Sequence, residues 1–260
     1  MKYHLPNAVV IEQVRTDNKI YALTFLAPEI AREAQPGQFV HVKTGDTYDP
    51  LLRRPLSICK VSPEMGEVTL WYQVVGKGTE LLSRLREGDL LDVIGPLGRG
   101  FDTDIQAEKI FLVGGGIGIA PLIFLQDRLK KNNQTEAFFG GKNRKMLQGL
   151  SLLSSEGYKA ATEDGSSGYK GFVTDLVQQA MQEEKPARIY TCGPTQMMEK
   201  VIILARNAGI PLQISLEAVM ACGVGACLGC TCRDAGKKDD SWVKVCKDGP
   251  VFWEQEVSLP

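Results

Sequence analysis

Lys109-Ile110-Phe111-Leu112-Val113-Gly114-Gly115-Gly116-Ile117-Gly118-Ile119-Ala120-Pro121 passes from a short β-branched and apolar run, through a cluster of glycines, into an apolar stretch ending near Lys130. That order reads as strand, tight turn, helix, a unit that brings a helix N-terminus and free backbone N–H groups to a pyrophosphate. The ordinary G-x-G-x-x-G spacing is only partly met. Counted from Gly114 its last position is Ile119, and counted from Gly116 it is Pro121. Glycine turns also serve as mere packing devices, so the reading leans on what surrounds it.

Downstream, strands are expected at residues 135–140, 158–162, 188–192 and 212–217, with helices at 174–182 and 195–207. Alternating strands and helices give a doubly wound parallel sheet. Ligands of such sheets lie beyond the carboxyl ends of the strands. Gly114, Gly115, Gly116 and Gly118 fall there, as do Cys192, Gly193 and Pro194, and all seven are candidates for holding a nicotinamide nucleotide. Cys192 reads equally as a small buried residue without chemistry. The acidic stretch 163–167 reads as solvated surface.

Upstream the period changes. Six short runs, residues 8–14, 20–26, 38–43, 56–61, 67–75 and 90–94, are separated by turns such as Pro36-Gly37 and Glu87-Gly88-Asp89, with a helix at 78–85. This is the pattern of a small antiparallel barrel. Within it Arg53-Arg54-Pro55-Leu56-Ser57 offers an arginine fork for a diphosphate, a stiff proline and a hydroxyl for a flavin ring nitrogen. The bland alternative is a solvated edge strand broken by proline. Trp71-Tyr72-Gln73 can lie against a ligand or simply fill the barrel. Gly78-Thr79 opens a helix, a seat for phosphate. Residues 95–101, rich in glycine, read as the linker between barrel and sheet.

Near the end stands Cys222-Gly223-Val224-Gly225-Ala226-Cys227-Leu228-Gly229-Cys230, answered by Cys246. C-x4-C-x2-C with a distant fourth Cys is the plant-type spacing for a [2Fe–2S] cluster. Structural zinc sites usually pair two short C-x2-C knuckles, and only Cys227 and Cys230 have that spacing. Cys232 is a further thiol two residues on; Cys230 completes the motif, which leaves Cys232 as a buried neighbour. Residues 234–241 form a polar spacer. The closing Gly249-Pro250-Val251-Phe252-Trp253 reads as exposed apolar chain that covers the cluster or meets a partner.

Composition limits the function. The 260 residues are 43% hydrophobic and 23% charged, with a net charge of -1. There is no electrostatic case for nucleic acid or an anionic membrane as partner. No signal peptide or spanning segment is visible, which points to the cytoplasm. Seven cysteines, five of them clustered, suit thiolate ligation in a reducing compartment. His4 and His41, the only histidines, read as ordinary strand or surface residues.

Taken together, the barrel, Arg54-Pro55-Leu56-Ser57, the glycine turn and Cys192-Gly193-Pro194 resemble the ferredoxin–NADP reductase superfamily. Leu56 stands where that pattern has an aromatic residue. With the cysteine segment and Asp248-Gly249-Pro250-Val251-Phe252, the chain is similar to one branch, the electron-transfer subunits of NAD-dependent (class 1B) dihydroorotate dehydrogenase. The resemblance implies three parts: an FAD-binding β-barrel (residues 1–100), an NAD-binding α/β domain (101–215) and a [2Fe–2S] segment (216–260). It implies FAD on Arg54, Pro55, Leu56, Ser57, Trp71, Tyr72, Gln73, Gly78 and Thr79. The cluster would lie on Cys222, Cys227, Cys230 and Cys246, and NAD in the glycine turn and Cys192 loop.

It further implies an FMN-containing catalytic partner that oxidises dihydroorotate to orotate in pyrimidine synthesis, in a heterotetramer of two subunits of each kind. Electrons would pass from the partner's flavin across the cluster to FAD and leave as hydride on NAD+. A cluster passes single electrons, a nicotinamide takes a hydride, and a flavin can do both. No general base is required of this chain. Two alternatives stay open: a diaphorase-type subunit of a hydrogenase, sulfide dehydrogenase or transhydrogenase, and a zinc-stabilised binding or redox-sensing protein without turnover.

Overall fold

A computed structural model describes residues 2–17, 19–45, 48–153, 157–236 and 241–259. Six antiparallel strands form the first unit: β1 (Tyr3–Asp17), β2 (Ile20–Leu26), β3 (Phe39–Lys43), β4 (Arg54–Ser62), β5 (Glu67–Gln73) and β6 (Leu90–Leu97). They close into a barrel in the order β1-β2-β5-β4-β3-β6. Alternation decides which side chains fill it. Val10, Leu23, Phe25, Val40, Val42, Ile58, Leu70 and Val93 are fully buried inside.

Two features of the barrel are not visible as sequence signals. Helix α1 (Pro28–Glu33) links β2 to β3, started by a proline whose missing N–H costs nothing in the first turn. The expected linker at 95–101 is in part strand. Gly95 pairs with Tyr3 and packs on Val40 so closely that a β-carbon would sit 2.7 Å from a valine methyl. Helix α2 (Lys77–Leu82) joins β5 to β6.

The second unit is a seven-stranded sheet. Its strands are β7 (Lys109–Gly115), β8 (Gln134–Gly141), β9 (Lys159–Thr162), β10 (Tyr169–Lys170), β11 (Arg188–Cys192) and β12 (Leu212–Ser215), with β15 (Val251–Trp253) at one edge. The order is β10-β9-β8-β7-β11-β12-β15. All pairs are parallel except β12 with β15. Helices α3 (Ala120–Leu129), α4 (Arg144–Gln148) and α5 (Leu150–Leu153) cover one face, packing on Ile110, Leu112 and Phe139. The same layer takes in Trp71 and Cys59 of the barrel. Helices α6 (Val173–Glu183) and α7 (Thr195–Ala208) cover the other face, on Phe111, Val113 and Ile214. Successive residues of β7 thus serve opposite faces, as a doubly wound sheet requires.

The cysteine segment follows β12 and contains a small hairpin, β13 (Thr231–Arg233) with β14 (Trp242–Lys244). Of the expected polar spacer, residues 237–240 lie outside the described residues. The chain end corrects an expectation. Val251 and Phe252 are 1% and 3% exposed, because β15 adds to β12 and turns Phe252 into the core shared by α7 and the cysteine segment. It is not a free apolar surface. No helix among the described residues is long and apolar enough to cross a membrane.

Candidate functional site

A cavity of about 520 Å³ opens at the carboxyl ends of the central strands, where the parallel topology places it. The chain leaves β7 through one 3-10 turn (Gly116–Ile119) before α3 begins with Pro121 in its first turn. Of the seven nucleotide candidates, Gly115, Gly116, Gly118, Gly193 and Pro194 line this cavity. Gly114 does not; it is covered by Ile119, Leu122 and Phe139. Cys192 does not either. It is 2% exposed, and burial, with the carboxylate of Glu217, pushes its thiol far up, so it is an inert packing residue. The sequence reading missed Lys142, Glu163, Lys200 and Glu217, charged side chains that all line the cavity. Glu163 belongs to the stretch read as plain surface.

A second cavity, about 290 Å³, lies against the barrel. Arg54, Pro55, Leu56, Ser57, Trp71, Tyr72, Gln73 and Thr79 line it. Gly78 lies behind it, and a β-carbon there would come within 2.6 Å of the Arg54 guanidinium. The expected arginine fork is a single arginine. Arg53 turns away, donating to the Asp92 carboxylate at 2.8 Å and to the Asp92 carbonyl at 3.0 Å. Trp71 and Tyr72 are buried, with the Tyr72 hydroxyl on Gln13 at 3.0 Å. They are wall, not free stacking platforms. The Thr79 hydroxyl is engaged locally, accepting from the Val75 and Gly76 N–H groups. Phe39, Met220 and Pro250 complete the lining.

All seven thiols of the chain are free, and five of them lie in the cysteine segment. The loop aims N–H groups at four sulfurs. Ala226 donates to Cys222 at 3.3 Å, Gly225 to Cys246 at 3.1 Å, Gly229 to Cys227 at 3.5 Å and Cys246 to Cys230 at 3.4 Å. The Cys222 sulfur lies within reach of Cys227, and that of Cys246 within reach of Cys230 and close enough to Cys222 to feel its charge. Such a set suits two irons with two thiolates each and N–H donors that stabilise sulfur charge. Burial pushes Cys222 upward, but the N–H groups and the Cys227 sulfur outweigh it and bring its pKa down to about 6. Cys232 receives none of these bonds. It is buried in the hairpin core, and burial raises it to about 11.

The three places adjoin. Gln73, Ile117, Leu216 and Glu217 border both cavities. Ala218 and Met220, on the way to Cys222, border the barrel cavity together with Pro250. Glu217 stands exposed at the rim where the two cavities meet, and the protein around it raises its carboxyl by partial desolvation. His41, expected as an ordinary strand or surface residue, is 1% exposed and packs its ring on Gly223 of the cysteine loop. Burial and then the Arg53 charge depress its pKa to about 4.

A closed antiparallel barrel beside a parallel sheet, with clefts meeting between them, defines a reductase of the ferredoxin reductase class. The ferredoxin reductase of carbazole 1,9a-dioxygenase has this fold (TM-score 0.70, 18% identity, 82% of this chain and 69% of that one). Residues 112–202 match the oxidoreductase NAD-binding domain, and residues 217–258 match the iron–sulfur cluster binding domain of dihydroorotate dehydrogenase B. The electron transfer subunit of dihydroorotate dehydrogenase B (NAD(+)) from Desulforamulus reducens is 43% identical over 91% of this chain and 92% of its own. That from Geobacillus thermodenitrificans is 39% identical over 96% and 97%. The chain belongs to this family of electron transfer subunits. A solved chain of an NADH-dependent reduced ferredoxin-NADP oxidoreductase, studied for flavin-based electron bifurcation, is also similar: TM-score 0.85, 31% identity, 97% of this chain and 90% of that one.

Proposed function

We propose that this chain takes up electrons released when a partner subunit oxidises dihydroorotate to orotate, and delivers them as hydride to NAD+, in the synthesis of UMP. The observation that carries the reading is the shared wall of Gln73, Ile117, Leu216 and Glu217 between the two cavities, with the cysteine segment bordering the second. A nucleotide in one cavity and a flat ring in the other would meet there.

The residues fit the groups this asks for. Arg54 gives the barrel cavity one cationic end, Ser57 a hydroxyl, and Leu56, Phe39 and Met220 apolar walls, a lining suited to FAD. Pro55, Trp71, Tyr72, Gln73, Gly78 and Thr79 shape that site. Cys222, Cys227, Cys230 and Cys246 would hold a [2Fe–2S] cluster. Gly115, Gly116, Gly118, Gly193 and Pro194 let the nucleotide backbone approach closely, with Gly114 and Cys192 packed beneath. When bound, these groups supply one-electron transfer at the cluster and the exchange of single electrons for hydride at the flavin. The chain itself binds, orients and excludes water, and no side chain is asked to move a proton.

NAD is favoured over NADP by Glu163. It follows β9 and lines the cavity on that side of the sheet, where a 2′-phosphate would be repelled and a ribose diol accepted. The work divides among residues 1–100, 101–215 and 216–260, although β15 ties the last part into the sheet. The partner contains FMN and assembles with this chain as a heterotetramer of two subunits of each kind. Val219, Val224 and Leu228, exposed beside the cysteine loop, supply apolar surface for it. The free thiols support the cytoplasm, a reducing compartment, as the setting of the complex.

The test is purification with its natural partner. Flavin and iron–sulfur absorbance bleached by NADH, with FMN and dihydroorotate oxidation in the companion chain, is the expected result. A colourless protein would sink the reading. The 31% identity to the bifurcating oxidoreductase supports a second one, a transhydrogenase module. A companion rich in clusters and inactive on dihydroorotate would favour it.

A further inference from the structure

Strand β3 faces two ways. Val40 and Val42 point into the barrel core, wholly buried, so Phe39 and His41 share the other face. Phe39 borders the barrel cavity. His41 meets the cysteine loop: a β-carbon on Gly223 would sit 2.5 Å from its Nδ1 and 2.9 Å from its Cε1. Gly223 is held at φ +67, so ring and loop fit only because that position is glycine.

The ring is 1% exposed, yet neither nitrogen has a hydrogen-bond partner among the described residues. Buried imidazoles without a partner are uncommon, because a lost hydrogen bond to water is not replaced. A leucine would fill the same space at no such cost. The main-chain groups of Cys222 and Arg53 are close enough to the ring to act on it, although neither ring nitrogen meets hydrogen-bond geometry with them. The Arg53 guanidinium is already committed to Asp92. An imidazole always keeps at least one N–H to donate.

We propose that His41 is a positioning residue for the cysteine loop, its ring N–H donating to the main-chain carbonyl of Cys222 and so fixing that sulfur against the barrel. This rests on Cys222 being a cluster ligand. One strand then holds both sites, with Phe39 at the barrel cavity and His41 at the loop, and sets the cluster in a constant place relative to the flavin. A support of this kind tunes the group it holds, because it orients a ligand without touching the metal.

The test uses the full chain and three variants. His41→Asn keeps a donor where Nδ1 stands, His41→Leu keeps bulk without a donor, and His41→Ala removes both. Iron per flavin after gel filtration, iron loss to a chelator and the EPR spectrum of the reduced protein are read for each. The Leu variant is expected to lose iron roughly 10- to 100-fold faster and to show shifted g values. The Asn variant should stay near wild type, and flavin content should be unchanged in both. If the Ala variant fails to fold, the Leu and Asn pair still decides. A Leu variant that matches wild type in EPR and iron loss overturns the role of His41. A wild-type protein purified without iron overturns instead the ligand assignment beneath it.

Discussion

Gly118 and Gly193 touch backbone to backbone: a β-carbon on Gly118 would lie 2.6 Å from the Gly193 Cα and 2.7 Å from its nitrogen. The turn after β7 and the loop after β11 therefore interlock, and both border the larger cavity. Neither neighbour is a flexible side chain that can step aside. Gly118→Ala should cost about 1–3 kcal/mol by overpacking. Because the strain falls on the cavity rim, NADH affinity should drop roughly tenfold or more. Equilibrium titration with NADH checks this, and flavin content should not change.

Arg54 and Gly78 predict a matched pair of effects. The guanidinium lies over Gly78, 2.6 Å from where a β-carbon would be. Gly78→Ala should fold, since the guanidinium is the far end of a flexible side chain, but it should move the cation from the cavity and off the Leu52 and Arg53 carbonyls to which it donates. Arg54→Ala removes the cation outright. Charged hydrogen bonds contribute about 1.5–3 kcal/mol, so flavin affinity should fall roughly 10- to 100-fold in both. Arg54→Lys should rescue poorly, because a point charge does not reproduce a planar fork. Flavin absorbance after gel filtration decides, and unchanged retention in both variants would remove the diphosphate role.

The parts of the molecule that announce themselves in sequence are those punctuated locally. Glycine and proline bracket the barrel strands, the turn after Val113 and the cysteine spacing, and all of these are legible without coordinates. What escaped is set by contacts between distant segments. Phe252 reads as exposed until β12 is seen beside it. Arg53 and Arg54 look alike in sequence, but Asp92, far along the chain on β6, takes one and leaves the other. Glu163 and Glu217 carry no motif; only the parallel topology brings both to one cavity. The Cys192 thiol could be read either way until its burial was known.

Cys230 and Cys232 give opposite expectations from neighbouring positions. Cys230 accepts from the Cys246 N–H and lies within reach of that residue's sulfur, whereas Cys232 sits in the β13–β14 hairpin opposite Val243. Cys230→Ser should abolish the iron–sulfur absorbance and leave FAD in place. Cys232→Ser should keep the iron, at a stability cost of about 1 kcal/mol for a polar group in an apolar core. Iron analysis with the flavin ratio reads both, and the reverse pattern would overturn the ligand choice.

Glu217 should reveal itself through pH. Desolvation between the two cavities raises its carboxyl above the ordinary value, so the folded chain holds this proton more tightly than the unfolded one. Stability from this group is then fully present below the unfolded pKa and is lost as pH rises through the folded one. At neutral pH the folded protein carries the cost of a partly desolvated carboxylate, a small one because Glu217 keeps an exposed side to solvent. Glu217→Gln removes the charge and keeps the shape. Its melting temperature should exceed that of wild type at pH 7–8, and the gap should close as pH falls toward 4. A gap that widens on acidification would mean that the carboxylate is stabilised in the folded state and that the shared wall is electrostatically favourable. Thermal denaturation of the nucleotide-free protein across that range measures the difference directly.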